Sequence, residues 1–366
     1  MKIAYYVSNR SLFPPQKDQI AASMTVVSNI IKYLKKRHEI TLYAPKGSIC
    51  EGVKIIDLDM EPFKLDSNLS NNDWITKAAL GLKQIFLGEI MADAQNYDLI
   101  HLHTEPVYLG MSYAKLVKTP ILFTSHNPYH SFEEKIFKYY DKKIYLSGLS
   151  RNQIKDIPFS QEIPVIYNGI EIEKFQFNLK AKDYFLFLGR LVEDKGIDTY
   201  LKLAKKNPHL QFYIAGRGDK KYEDLIKDTL SVSSNIVFKG MIPRFSDEWI
   251  DLLANAKALV MPINYEDSCP LVPLEAMAFG TPVVAYNMGA LPEQIENNQN
   301  GYLVEKQNFD KLNKAISSLV NMTEAEYLQF RKNARLQVER KFNAQNMAEN
   351  YEKLYEKIVS DFKKNV

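Results

Sequence analysis

Apolar and polar residues fall in blocks along this chain, and the blocks change period in a regular order. Ile3-Ala4-Tyr5-Tyr6-Val7 is a short apolar run, suited to a strand covered on both faces. After a loop with Pro14-Pro15, the residues Ala22, Val26, Val27, Ile30, Ile31 and Leu34 recur at helical spacing, one apolar stripe along a helix. Lys35-Lys36-Arg37 closes that stretch, where cations complement the helix dipole. Ile40-Thr41-Leu42-Tyr43-Ala44 is then β-branched and aromatic, and Pro45 stops it. Strand, helix, strand at the start of a chain predicts a parallel sheet with right-handed crossovers.

The pattern predicts further strands at 53–56, 99–102, 121–124 and 164–167. A second series begins after Lys182, with strands at 184–188, 211–215, 235–239, 258–262 and 282–286. Helical stretches separate them, such as 196–206, which Asn207-Pro208 ends. Two such series in succession predict an α/β chain of two Rossmann-like domains, 1–177 and 178–345. Met347, Tyr351, Leu354 and Ile358 recur at helical spacing near the end. They predict a packed terminal helix over about 346–366, with a frayed charged tip at Lys363-Lys364.

Composition narrows the class. The chain has 366 residues, 46% hydrophobic and 25% charged, the balance of a globular protein of two domains. Lys+Arg of 47 against Asp+Glu of 44 gives a net charge of +3, which argues against nucleic acid as the main partner. Two cysteines, Cys50 and Cys269, in unrelated contexts exclude a disulfide framework and a Cys-based zinc site and suit a reducing cytosol. The opening apolar run is too short for a signal-peptide core, and no apolar run approaches a membrane span. A cytoplasmic protein is expected, with peripheral contact at the inner face of a membrane as the alternative.

Candidate chemistry sits where predicted strands end. The loop 265–270 follows one strand and precedes a short helix, with Pro273 suited to its first turn and Gly280 to the position after its end. Amides at Leu271 and Val272 would then point out of a helix N-terminus toward an anion such as phosphate. Asp267, its neighbour Glu266 and Glu275 are acceptors only, matched to the donor hydroxyls of a sugar or ribose on either side of a diphosphate. A loop carboxylate and a surface helix glutamate account for the spacing equally well. Arg190 and Lys195 bracket another strand-to-helix loop, and an Arg fork with a Lys point charge complements a departing diphosphate. Solvated surface cations are the bland account. Ala215-Gly216-Arg217-Gly218-Asp219 lacks the third glycine of a dinucleotide fingerprint, so Gly216 is expected in a tight turn flooring a nucleotide pocket, and a dehydrogenase is disfavoured.

Four of six histidines lie at two strand ends: His101 and His103, then His126 and His130. No Cys or metal-binding helix motif accompanies them, so polar groups facing an interdomain cleft are expected rather than ligands, with a structural role open for His101 and His130. The stretch 132–143 interleaves Phe137, Tyr139 and Tyr140 with Lys135, Lys138, Lys142 and Lys143. It suits an anionic membrane surface or acceptor guidance, and an ordinary amphipathic surface helix explains it more simply.

Taken together, VIYNGIEIEKF (165–175), GRLVEDKGID (189–198), DSCPLVPLEAMAFGTPVVA (267–285), ALPEQIENNQNGYLV (290–304) and MAENYEKLYEKI (347–358) resemble glycosyltransferase family 4, the retaining enzymes of GT-B fold also called glycosyl transferases group 1. The resemblance spans nearly the whole chain and is strongest over 165–304. It implies two Rossmann-like domains facing across a cleft, with the terminal helix crossing back to the first. It implies a nucleoside-diphosphate sugar donor, UDP- or GDP-linked, no metal or other cofactor, and a glycan, lipid-linked or small-molecule acceptor in glycan or cell-envelope polysaccharide synthesis. By position, Arg190 and Lys195 would bind the diphosphate, Glu275 the ribose, Asp267 the transferred sugar, with amides around Leu271 assisting and His126 near the reacting centre. The leaving diphosphate would take the acceptor's proton, so no protein nucleophile is implied. Two positions depart from the family: Asp267 stands for its first glutamate, and Ala21-Ala22 for first-domain glycines. A GT-B epimerase would act without acceptor, a phosphorylase would require inorganic phosphate, and a catalytically silent sugar-nucleotide binder would bind donor without turnover.

Overall fold

The computed structural model describes residues 1–16, 19, 21–63 and 73–365; Val366, the last residue of the expected terminal helix, lies outside them. The chain divides into two compact units, one formed by Met1–Gly169 with the segment from Ala344 onward, the other by Ile170–Asn343.

The first unit runs β1 (Lys2–Tyr6), α1 (Ala22–Leu34), β2 (Glu39–Tyr43), β3 (Lys54–Ile56), α2 (Asp73–Ala92), β4 (Leu99–Leu102), β5 (Ile121–Thr124), α3 (Glu134–Tyr140), β6 (Tyr145–Ser147) and α4 (Arg151–Ile154). Its six strands form a parallel sheet in the order β3-β2-β1-β4-β5-β6. Ile3 pairs with both Ile40 and Leu99, so β1 lies in the middle of the sheet. Its residues Ile3 to Tyr6 are all buried, as a strand covered on both faces requires. Beneath it, Phe86, Leu87 and Ile90 of α2 pack with Leu102 and Phe123.

The second unit runs β7 (Tyr184–Leu188), α5 (Ile197–Lys206), β8 (Gln211–Ala215), α6 (Lys220–Val232), β9 (Ile236–Gly240), α7 (Asp247–Asn255), β10 (Ala258–Met261), α8 (Leu271–Ala278), β11 (Val283–Tyr286), α9 (Leu291–Gln294), β12 (Gly301–Val304), α10 (Phe309–Val320) and α11 (Glu324–Lys341). The strand order β12-β11-β10-β7-β8-β9 repeats that of the first unit. Each sheet therefore reverses direction between its first and fourth strands, β1/β4 and β7/β10. Ligands of open parallel sheets bind beyond the carboxyl ends of strands at such a reversal.

α12 (Ala344–Asn365) returns to the first unit and lies against α1. Its buried residues include Ala344, Met347, Ala348, Tyr351, Tyr355 and Ile358. Large apolar side chains of this kind stabilise by about 1.5–3 kcal/mol each when fully buried. Leu354, expected in this stripe, is only partly buried and Tyr355 takes the inner position, because the tyrosine hydroxyl reaches His101. The helix continues through Lys363-Lys364 rather than fraying before them.

Two strands differ from expectation. The sixth strand of the first unit is Tyr145–Ser147, not 164–167. Residues near Pro164 make only an isolated bridge, Gly148 to Val165, since Pro164 has no N–H to extend a ladder. Its carbonyl accepts from Gly148 N at 3.0 Å, and Ile166 N donates to Gly148 O at 2.9 Å. The second unit gains β12, paired with β11 from Val283↔Gly301 to Tyr286↔Val304.

Candidate active site

At the reversal of the second sheet, β7 and β10 lie side by side and release their chains into two loops. The first carries Arg190 and, as the last residue of a single helical turn, Lys195. The turn ends at Gly196 in the left-handed region (φ 76°), where a Cβ would sit 2.0 Å from Pro262 O; only glycine lets this loop approach the end of β10 so closely. The second loop carries Tyr265, Glu266 and Asp267. Lys195 Nζ lies 3.3 Å from Asp267 Oδ2, an ion pair across the reversal. Tyr265, a residue the motif reading passed over, hydrogen-bonds both: its hydroxyl donates to Asp267 Oδ2 and receives from Lys195 Nζ. The ammonium also lies 4.6 Å from the Tyr265 ring centroid, a cation–π contact.

Burial pushes the Lys195 pKa down against the opposing pull of Asp267, and the nearby positive Arg190 adds to the lowering. The Tyr265 hydroxyl is pushed up by desolvation and by Asp267, so it stays protonated. Arg190 itself is exposed, leaving its fork available to an anion. Gly216 lies behind this loop: at φ 147° its Cβ would fall 1.8 Å from Gly189 O. It is a close-approach glycine that seats the Arg190 loop, as Gly189 N donating to Ala215 O at 3.1 Å also shows.

Asp267 is aimed by its backbone. Ala290 N donates to Asp267 O at 2.9 Å, and Gly289 N donates to Glu266 Oε2 at 3.0 Å. Glu266 is thus turned to the Gly289 backbone, while Asp267 faces Lys195. α8 begins at Leu271, with Pro270 in the capping position and no side-chain cap. The first amides of a helix have no intrahelical partner, so those of Leu271 and Val272 form the donor edge the sequence led one to expect. Pro273 is the third helical residue, and Gly280 follows the end at φ 90°.

Glu275, on α8, is 3% exposed, and its Oε1 accepts from Arg244 Nε at 2.8 Å and from Nη2. Sequence reasoning missed Arg244 because no pattern surrounds it in the loop between β9 and α7. Cation–π stacking on Phe245, 4.4 Å from guanidinium to centroid, fixes its direction.

In the first unit, His101 is fully buried and structural: Nδ1 meets Tyr355 Oη at 2.7 Å and Nε2 meets Thr124 Oγ1 at 2.7 Å. It therefore does not face a ligand. His130 caps the turn before α3, where Glu133 Oε2 accepts from His130 N at 2.9 Å. His126 is partly exposed, and its Nε2 lies 2.9 Å from Nδ1 of buried His103. Desolvation pushes His126 down to about 4, so its ring is neutral at physiological pH. Among the described residues no group of three or more His, Cys, Asp or Glu is arranged to hold a metal ion, and no helix is long and apolar enough to cross a membrane.

A sequence profile for glycosyl transferases group 1 matches residues 169–337, and one for glycosyltransferase family 4 matches residues 24–174. The chain belongs to the family 4, group 1 glycosyltransferases. An uncharacterized glycosyltransferase of Methanocaldococcus jannaschii is 29% identical over 253 residues, 65% of this chain and 70% of that protein. The putative glycosyltransferase YtcC of Bacillus subtilis is 22% identical over 98% of this chain and 93% of its own length. Among solved structures, Anabaena HepE in complex with UDP superposes with a TM-score of 0.74 at 16% identity, covering 98% of this chain and all of HepE. The same protein has been solved with UDP and glucose and with UDP-glucose, at TM-scores of 0.72 and 0.71. The shared architecture is the GT-B fold, two parallel sheets of six strands in this family 4 glycosyltransferase.

Proposed function

We propose that the Ile170–Asn343 unit binds a nucleoside-diphosphate sugar, with UDP as the nucleotide, and that the enzyme passes the sugar to a glycan, lipid-linked or small-molecule acceptor with retention of configuration. The observation that carries this is the Lys195–Asp267 pair across the β7/β10 reversal, with Arg190 and the uncapped α8 amides beside it. Cations and amides take the diphosphate; carboxylates take the hydroxyls. The HepE complexes with UDP and UDP-glucose support the choice of nucleotide.

In this reading Arg190, Lys195 and the Leu271 and Val272 amides stabilise the charge that grows on the leaving diphosphate. Asp267 exchanges its Tyr265 contact for a hydroxyl of the transferred sugar. Glu275, held by Arg244, accepts from the ribose hydroxyls. Retention follows from attack on the face the diphosphate leaves, with a phosphate oxygen taking the acceptor's proton as the new glycosidic bond forms. His126, neutral, offers a hydrogen bond to a sugar hydroxyl. Phe132 and Leu116, each 76% exposed, and Tyr139, 52% exposed, stand among Lys115, Lys135, Lys138, Lys142 and Lys143 and rest on an anionic bilayer.

Thermal shifts with UDP, GDP, ADP and NAD at matched concentrations test the donor site. A ligand binding only the folded state at a hundredfold excess over Kd stabilises by about 2.7 kcal/mol. UDP should shift the wild type and lose most of its effect in Arg190→Ala and Lys195→Ala. Equal shifts with NAD, or UDP shifts unchanged in both variants, would overturn the assignment. Sugar transfer from UDP-sugars, with the anomeric configuration of product read by NMR, tests retention; an inverted product refutes it.

A further inference from the structure

His103 and His126 form a pair whose proton arrangement the surroundings decide. His103 directly follows β4, is 1% exposed, and is packed against His101 at 4.0 Å between ring centroids and against Tyr5 at 6.3 Å. Its Nδ1 faces His126 Nε2 at 2.9 Å, and its Nε2 is buried with no hydrogen-bond partner among the described residues. A neutral imidazole carries one N–H and one acceptor nitrogen, and burial keeps both rings neutral.

Two arrangements satisfy the 2.9 Å contact. If His126 Nε2–H donates, the proton of His103 must sit on Nε2, a buried N–H with no acceptor. If His103 Nδ1–H donates, Nε2 of His103 keeps only a lone pair. Orphaned buried N–H groups are rarer than under-satisfied acceptors, so the second arrangement wins. The proton of His126 then lies on Nδ1.

We propose that His103 is a positioning residue that fixes His126 as the Nδ1–H tautomer, so that His126 presents one donor to a substrate oxygen and is unavailable as a general base. The substrate contact rests on the glycosyl-transfer reading above; the tautomer does not.

Long-range proton–nitrogen NMR of the full chain with nitrogen-15-labelled histidine, at pH 8 without ligand, reads the tautomer directly. His126 should show a protonated Nδ1 and an acceptor Nε2. His103→Leu removes the donor and should release His126 to a mixture or to the Nε2–H form. His103→Asn, whose amide N–H falls near the Nδ1 position, should keep it. Transfer from UDP-sugar should fall about tenfold in the Leu variant, the worth of one neutral hydrogen bond, and recover in the Asn variant. A protonated Nε2 on wild-type His126 overturns the proposal, as does an unchanged tautomer in His103→Leu. Should that variant not fold, the wild-type spectrum decides alone. A confirmed tautomer in a protein that transfers no sugar would refute the function and leave the tautomer standing.

Discussion

Removing Arg244 should strand a buried charge. The Glu275 side chain is 4% exposed and that of Arg244 27% exposed, with both guanidinium donors on one carboxylate oxygen. Breaking a fully buried pair from one side costs about 3–5 kcal/mol, mostly because the remaining ion stays desolvated. Arg244 reaches the surface, so water enters part of the space it leaves, and Arg244→Ala should cost about 2–3 kcal/mol. For a unit of this size each kcal/mol lowers Tm by roughly 2–4 °C, so a fall of about 4–12 °C is expected. Glu275→Gln keeps an acceptor for a guanidinium that water also reaches, and should cost about 1 kcal/mol. The double variant carries no stranded carboxylate, so the two losses should not add: a coupling of about 1.5 kcal/mol is expected. Urea unfolding followed by Trp249, whose ring lies 5.2 Å from that of Phe245, reports on this region in a Trp74→Phe background. Losses that add within about 0.5 kcal/mol would mean that Glu275 is hydrated without Arg244, and the reasoning would fail.

Acid should destabilise the protein through its histidines. His126 titrates near 4 folded and 6.5 unfolded, so between those values the unfolded chain binds more protons and stability falls as pH drops. His126 alone should contribute a loss of about 2–3 kcal/mol by pH 4 after allowance for its partial exposure; His101 and His103, also lowered by burial, act in the same direction. Urea midpoints that stay flat from pH 6.5 to 4.5 would contradict this. Gly216→Ala should lose about 3 kcal/mol or more through a backbone collision and displace the Arg190 loop; a wild-type melting curve would show that the loop yields freely. Sedimentation with anionic vesicles should be salt-sensitive and weakened by Phe132→Ser and Tyr139→Ser together. Equal binding to neutral vesicles would remove the membrane contact.

Most of the strands were legible because buried parallel strands read as short apolar runs, as β1 and β10 do. β6 was not: three residues, one position after Lys142-Lys143, carry too little pattern to register, while the apolar residues near Pro164 carry pattern without a continuous ladder. β12 is hidden in the same way, four residues after a run of asparagines and glutamine. The Arg190, Lys195 and Asp267 loops were legible because glycine, charge and strand ends coincide there. Their partners were not. Arg244 meets Glu275 across 31 positions and His101 meets Tyr355 across 254, and neither distance leaves a period to read. Only folding brings those atoms together.

The two ends of α8 are treated unequally. At its carboxyl end Arg331 Nη2 donates to Phe279 O at 3.2 Å and Arg335 Nη1 to Ala278 O at 2.7 Å, both guanidinium groups coming from α11. Arg331 is fully buried, and its other acceptors are the carbonyls of Asn178 and Ala254 and the Tyr327 hydroxyl. The amino end has no side-chain cap. Cations at the negative pole cancel that half of the helix field, so what remains acts outward as a net positive centre. A monopole's potential fades more slowly with distance than a dipole's. An eight-residue helix can therefore draw an approaching anion from farther away than its length suggests, and fully buried Arg331, more than Arg335, which is partly exposed and paired with Glu339, sets that reach.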